Sequence, residues 1–267
     1  MYRRMHVLLL DVVLMLALSC GSACTIGAET TEEFHKILTP AAGTPLTVEN
    51  TNGSIMVTGW DRQEVDILAV KKTRSGRGEL EKVQINITEN GKIGIETEYL
   101  ERNAKVSVNY TIKVPSTVQV ELVKTTNGSI ELEGTSGDTI ANTTNGSVTI
   151  GDADGAIEST TTNGNVKIRD ASSIKRAKTT NGNIEVSFGR LTSDTEFTTT
   201  NGSVDVRFPA GMNADLELQT TNGSIHANGI KMMLNEISRR HLSGTLGSGG
   251  TKINIRTTNG SISLKEM

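Results

Sequence analysis

The chain has 267 residues, a net charge of −3 and a pI near 5.9, which gives no basic footprint for nucleic acid. Only 3% of its residues are aromatic against 35% hydrophobic overall, so a thick aromatic-rich core is excluded and a thin one lined by Val, Ile and Thr is favoured. The 27 Gly outnumber 4 Pro, which points to glycine-dependent turns rather than to a proline-rich linker.

Residues 1–24 read as an export signal. Arg3 and Arg4 supply a positive start. An apolar run from Val7 to Leu18, interrupted by Asp11, follows, and then come the small residues Ser19, Gly21, Ser22 and Ala23. The run is too short for a spanning helix. Both cysteines, Cys20 and Cys24, fall at the cleavage region, and Ala17-Leu18-Ser19-Cys20 resembles a bacterial lipoprotein box. Cys20 is therefore the candidate lipid attachment residue, the alternative being a plain cleaved signal. One leftover thiol builds no disulfide framework. Residues 25–45, with Pro40 and Pro45 bracketing Ala-Ala-Gly-Thr, read as a linker or N-terminal cap.

From residue 46 to 267 one phrase recurs. Asn-Gly stands at Asn52-Gly53, Asn127-Gly128, Asn145-Gly146, Asn163-Gly164, Asn181-Gly182, Asn201-Gly202, Asn222-Gly223 and Asn259-Gly260. Each is preceded by Thr and followed by Ser or Asn, then Ile or Val. From Asn127 to Asn181 the step is a constant 18, the mark of a repeat architecture. Counting from each Asn as zero, position +3 is always Ile or Val and position +5 is apolar throughout. Two such positions share one face of a strand. Each repeat is thus strand, Asn-Gly turn, strand, with Gly at +1 read as tolerance of positive φ. Steps of 37 to 38 residues, two of them flanking Asn90-Gly91 and one between Asn222 and Asn259, suggest a rung without the signature in each long gap. The total is about twelve coils of 18 residues. Periodicity alone leaves two pairings open. Asn-Gly is a standard hairpin signal, which allows an antiparallel meander. A parallel β-solenoid, in which like Asn and Thr stack on each other, is the other reading.

The run Leu46-Thr-Val-Glu-Asn-Thr-Asn-Gly-Ser-Ile-Met-Val-Thr-Gly-Trp-Asp61 resembles the opening of the bacterial putative-adhesin domain of unknown function. Val106-Ser-Val-Asn-Tyr-Thr-Ile-Lys-Val-Pro115 and Gly247-Ser-Gly-Gly-Thr-Lys-Ile-Asn-Ile-Arg-Thr-Thr-Asn-Gly-Ser-Ile262 fit the same pattern. The resemblance covers roughly residues 34–267. It implies a cell-envelope β-solenoid, tips the choice away from the meander, and supplies no catalytic residues.

The residues themselves offer little chemistry. His6, His35, His226 and His241 are scattered, so no His-centred metal or nucleophile site is expected. Asp152 and Asp170 share position +7 of adjacent rungs, with Asp138, Asp154 and Glu158 nearby. Stacked carboxylates can hold Ca²⁺ or act as an acid/base pair, but a solvated corner is the simpler reading. The Thr column at −1 (Thr51, Thr126, Thr144, Thr162, Thr180, Thr200, Thr221, Thr258) is a candidate binding ladder, or a structural one. The N-G-S sequons fall on turns and follow from turn chemistry. Residues 229–242 break the lattice. There Ile230, Met233, Leu234, Ile237 and Leu242 are roughly helix-spaced, which suits a cap over the last rung or a partner-binding helix. The sequence thus points to a non-enzymatic exported envelope module, adhesin-like or structural. Its partner would be a surface ligand such as a glycan or another envelope protein, with no cofactor and no nucleic acid. The alternatives are a polysaccharide-acting β-helix enzyme and a self-assembling or stress-accessory scaffold.

Overall fold

The computed structural model describes residues 28–267 apart from Leu191 and Asn228; the signal segment and Cys20 lie outside the described residues. The N-terminal part comprises β1 (Thr30–Leu38), β2 (Pro45–Glu49), β3 (Ile55–Trp60), β4 (Val65–Thr73), a 3-10 helix (Arg77–Lys82), β5 (Val83–Glu89), β6 (Ile93–Tyr99) and β7 (Ser107–Pro115). The regular middle runs β8 (Gln119–Lys124), β9 (Ile130–Glu133), β10 (Thr139–Asn142), β11 (Val148–Gly151), β12 (Ala156–Thr160), β13 (Val166–Ala171), β14 (Ser173–Lys178), β15 (Ile184–Phe188), β16 (Thr195–Asn201) and β17 (Val204–Phe208). The C-terminal part adds β18 (Ala214–Asn222), β19 (Ile225–His226), β20 (Met232–Ile237), β21 (His241–Leu246), β22 (Lys252–Asn259) and β23 (Ile262–Glu266).

These strands form two sheets facing each other. The eleven-stranded sheet has the order β1-β4-β7-β3-β9-β11-β13-β15-β17-β23-β19. The twelve-stranded sheet has the order β20-β21-β18-β22-β16-β14-β12-β10-β8-β2-β6-β5. The strand after each repeat turn lies in the first sheet and the strand before it in the second. Equivalent strands pair in parallel: Val148 opposes Val166, and Val166 opposes Ile184. The molecule is therefore a parallel β-solenoid. No hairpin joins the two strands of a repeat across its Asn-Gly turn, which rules out the meander.

The burial pattern follows the side-chain alternation of a strand. Val148, Ile150, Val166, Ile168, Ile184 and Val186 are all buried. Each contributes on the order of 1.5–3 kcal/mol. Opposite them, the second sheet presents the small column Ala141, Ser159 and Ala177, all fully buried and mutually in register. This small–large pairing keeps the core thin and explains the shortage of aromatic residues. Where the core widens, Phe197 takes the same column position and packs at 6.3 Å from Phe188. The outward faces carry opposite charges on neighbouring strands: Arg176 bridges Glu158 and Glu196, and Glu185 bridges Lys167 and Arg207. Such exposed pairs fix register more than they add stability.

Among the described residues the long gaps hold one extra parallel coil, between Asn52 and Asn127, and are otherwise filled by antiparallel strands. Nine coils stack in parallel, and antiparallel strands supply the remaining width of both sheets. Between Asn52 and Asn127 the chain adds one coil, β6–β7, outside β2–β3. It also lays β4 antiparallel on β7 and β5 antiparallel on β6. Asn90-Gly91 is the hairpin turn between β5 and β6. Between Asn222 and Asn259 the chain makes the antiparallel hairpin β20–β21, and β21 pairs with β18. The segment read as helix-spaced is thus a β-hairpin. A register shift between Leu234 and Glu236 changes the strand's parity, placing Leu234 and Ile237 on one face at a spacing of three. This hairpin covers the coil β18–β19. The chain's last coil, β22–β23, is inserted between β16–β17 and β18–β19.

Candidate functional site

The repeat turns line one long edge of the solenoid, and three hydrogen-bonded columns run along it. Thr at −2 is buried, and its hydroxyl donates to the Gly carbonyl of the preceding coil: Thr143 to Gly128 at 2.8 Å, Thr161 to Gly146 at 2.8 Å and Thr179 to Gly164 at 2.9 Å. In the first signature coil Asn50 takes this position, and its amide reaches the carbonyl of Val108 at 2.8 Å. At position zero each Asn Nδ2 donates to the Oδ1 of its neighbour. The ladder runs Asn52, Asn127, Asn145, Asn163, Asn181, Asn201, Asn259, Asn222, at 2.7–2.8 Å throughout. At +2, side-chain oxygens accept the next backbone N–H, as Asn165 Oδ1 does from Asn183 at 2.8 Å. The ladder order shows Asn259 between Asn201 and Asn222, as the strand pairing requires.

The glycines of this edge serve close approach more than positive φ. Only Gly53, Gly146 and Gly164 among the eight have φ in the glycine-favouring range, at 121°, 157° and 156°. A Cβ on Gly146 would penetrate the carbonyl oxygen of Gly128, and a Cβ on Gly164 that of Gly146. The same holds for Gly182, Gly202 and Gly260 against their neighbours. Gly91, by contrast, has φ 72° and nothing within 4 Å of where its Cβ would stand.

The Thr column at −1 is exposed along this edge, with Thr180 half-buried. Beside it stands the Asn ladder, whose six inner members each keep one N–H and one lone pair beyond those spent on the ladder, while Asn52 only accepts along it and Asn222 only donates. The result is a two-column polar edge with fixed side-chain orientation and one repeat per coil. At its N-terminal foot a shallow hollow is lined by Asn52, Lys72, Arg74, Lys105 and Ser107.

The acidic candidates do backbone work at the other corner. Asp152 and Asp170 are exposed and left-handed, at φ 47° and 52°, a conformation Asp tolerates better than most residues. Asp138 accepts the N–H of Ala156 at 2.9 Å and the ammonium of Lys175 at 3.0 Å, which together hold its carboxyl below the usual range. Asp154 accepts from Ser172 at 3.0 Å. Desolvation, then the charge of Asp152, raises the Glu133 carboxyl. Among the described residues no group of three or more His, Cys, Asp or Glu could hold a metal ion. His35 contacts Asp66 at 2.6 Å, and His241 sits between Glu217 at 2.7 Å and Glu236 at 3.1 Å. His226 lies on β19. None of the three described histidines meets another.

The family model described as Toastrack DUF4097 matches residues 24–265, nearly the whole chain. The chain belongs to this family. Similar solved structures include a putative adhesin from Bacteroides fragilis, at 13% identity and TM-score 0.44, covering 88% of this Toastrack chain and 97% of that one. Another is a putative cell adhesion protein from Clostridium sporogenes, at 12% identity and TM-score 0.38, covering 89% and 100%. A putative lipid binding protein from Parabacteroides distasonis is similar at 11% identity and TM-score 0.30, covering 90% and 97%. No curated protein matches the chain. No helix among the described residues of this Toastrack chain is long and apolar enough to cross a membrane.

Proposed function

We propose that this chain is a non-enzymatic, exported cell-envelope module that binds an extended surface ligand along its polar edge. The ligand would be a glycan or an extended segment of another envelope protein. The observation that carries this reading is the exposed Thr column set beside a continuous Asn ladder. The described hydrogen bonds engage none of the −1 Thr hydroxyls, while every ladder Asn is locked in orientation by its neighbours. Preorganised polar groups repeated once per coil favour a ligand with its own regular repeat, because little ordering cost remains on the protein side. Export rests on residues 1–24, and Cys20 is proposed as the point of lipid attachment. The mature chain should begin between residues 20 and 29. If it begins at Cys20, it should partition into detergent and lose that behaviour on Cys20→Ala.

The test is a binding screen of the exported protein against glycan arrays and purified cell-wall material. The comparison variant combines Thr144→Val, Thr162→Val and Thr180→Val, which keep shape and strand propensity while removing three hydroxyls. Binding should fall with no change in melting temperature, and should be indifferent to Asp152→Asn with Asp170→Asn. Binding that survives the triple Val variant would sink the reading. Glycan cleavage abolished by the Asp pair would replace it with an enzyme.

A further inference from the structure

Among the described residues the two sheets have four edges, and they are unequal. β1 carries Glu32, Glu33, His35 and Lys36, and the pairs Lys71–Glu32 and Lys36–Glu89 tie it to its surroundings. β5 is polar on its exposed positions, and β19 is two residues long. Charge and brevity are the usual protections of an edge. β20 has neither. Its sequence is Met-Met-Leu-Asn-Glu-Ile, and Met233, Leu234 and Ile237 are 72%, 47% and 65% exposed. One side pairs with β21, and no strand among the described residues pairs with the other.

The pairing with β21 fixes which way β20 residues face. Met232 opposes Leu246, Leu234 opposes Gly244 and Ile237 opposes Leu242, all of them inward-facing partners. Met233 opposes Thr245 and Glu236 opposes Ser243, on the outer face, while Asn235 is skipped as a bulge. Alternation puts Lys231 on the outer face as well. Directly opposed residues of an antiparallel pair share a face, and one face-matched register on the free side of β20 also sets its opposite charges, Lys231 and Glu236, against each other. With Asn235 again bulged, Met233 stands on a two-fold axis opposite itself, and Met232 opposes Leu234 of a second copy. Lys231 then opposes Glu236 of the second copy, and each of these pairs occurs twice. Glu236 uses Oε1 toward His241 at 3.1 Å, and its other oxygen has no bond among the described residues.

We propose that β20 is a homodimerisation edge, pairing antiparallel with β20 of a second copy in this register. The occupant is a second copy because the segment's charges and apolar faces match themselves under the two-fold operation. The contact is isologous and closes at two copies. The dimer leaves the polar repeat edge of both copies uncovered by its strand pairing, so this inference stands apart from the ligand reading.

Size-exclusion chromatography with light scattering on the full chain tests it. The wild type should be a dimer at about 100 µM, and Glu236→Lys should weaken it by about tenfold or more. Lys231→Glu combined with Glu236→Lys should restore it, since the swapped charges again oppose. In a chain with Cys20→Ser and Cys24→Ser, Met233→Cys should form a disulfide-linked dimer under mild oxidation, and Thr144→Cys should not. This second readout needs no charge change, so a poorly folded Glu236→Lys variant does not decide the matter. A wild-type monomer, a ladder of larger oligomers, or a dimer indifferent to the charge swap and uncrosslinked by Met233→Cys would overturn the proposal.

Discussion

The regular coils between Asn127 and Phe208 and the two ends of the solenoid use the same dipeptide for opposite purposes. In the coils Asn-Gly makes a turn that is crowded on both sides by its copies, so Asn bonds to Asn and Gly leaves room for the next Gly carbonyl. At the N-terminal end Asn90-Gly91 makes a free hairpin with open space around it. The two ends also differ from each other. At the N-terminal end both sheets finish in antiparallel strands, and a 3-10 helix inserts buried Leu80 against β1, β4 and β5. There Tyr110 and Thr97 join the sheets through a buried 2.7 Å hydrogen bond, and burial pushes the Tyr110 phenol up to about 12. At the C-terminal end a hairpin extends one sheet only, and the other stops at the short β19. A repeat is thus stabilised by its neighbours, whereas an end must be closed by different chemistry, and the C-terminal closure leaves apolar surface exposed.

This contrast can be broken by substitution, starting with the largest expected effect. Ile168→Ala, in a fully buried column, should cost about 2–5 kcal/mol. Ile37→Ala, on β1 at 51% exposure, should change stability by less than about 0.5 kcal/mol. Urea unfolding of both variants checks this, and equal costs would mean that the coils are no better packed than the end.

Next comes the glycine pair. Gly164→Ala must push against the backbone of the neighbouring coil and should cost about 3 kcal/mol. Gly91→Ala meets only the strain of a positive φ and should cost about 1 kcal/mol. A reversed order in thermal melting would contradict the close-approach role of the ladder glycines.

A smaller change should stabilise the coils. The buried hydroxyl of Ser159 has no hydrogen-bond partner among the described residues and lies between Ala141 and Ala177 in its column. Ser159→Ala should therefore raise stability by about 1 kcal/mol. A loss of stability in calorimetry would show that the hydroxyl is satisfied.

The smallest effect belongs to the C-terminal cap. Hydrogen bonds to Glu217 on β18, then to Glu236 on β20, raise the His241 pKa above its ordinary value. A raised folded-state pKa stabilises the cap most fully below the unfolded value, about 6.5, and the gain is lost as pH rises through the folded value. Protection of the β21 amides, corrected for intrinsic exchange, should therefore decline from pH 6 to pH 8. The decline should vanish in His241→Gln. Protection that rises with pH would contradict the assignment.

Much of the solenoid was legible in the sequence, because +3 and +5 report strand faces directly and the coils repeat them. Three things were hidden for physical reasons. The role of the ladder glycines is legible only in part, because positive φ, which holds at Gly53, Gly146 and Gly164, and close approach both demand Gly, and only the neighbouring coil separates them. The hairpin at 232–246 looked helical because the bulge at Asn235 puts Leu234 and Ile237 three residues apart on one face. The place of the last coil was invisible because each coil offers the same Asn donor and acceptor to either neighbour, so the motif identifies a coil without ordering it. The candidate site is legible as a Thr column beside stacked Asn residues, and their hydrogen bonding and the exposure of each column are not. The Thr column at −2, with Asn50 in its first place, is legible as a stack, but its burial and its bonds to the Gly carbonyls show only in the folded coils.

Like residues stack in parallel coils, and the coil β22–β23 is inserted before β18–β19. Side-chain amide contacts in a nuclear Overhauser spectrum of the labelled chain test it most directly. The Asn259 amide should show contacts to both Asn201 and Asn222, and Asn201 and Asn222 should show none to each other. A direct Asn201–Asn222 contact, with Asn259 at the end of the ladder, would contradict it.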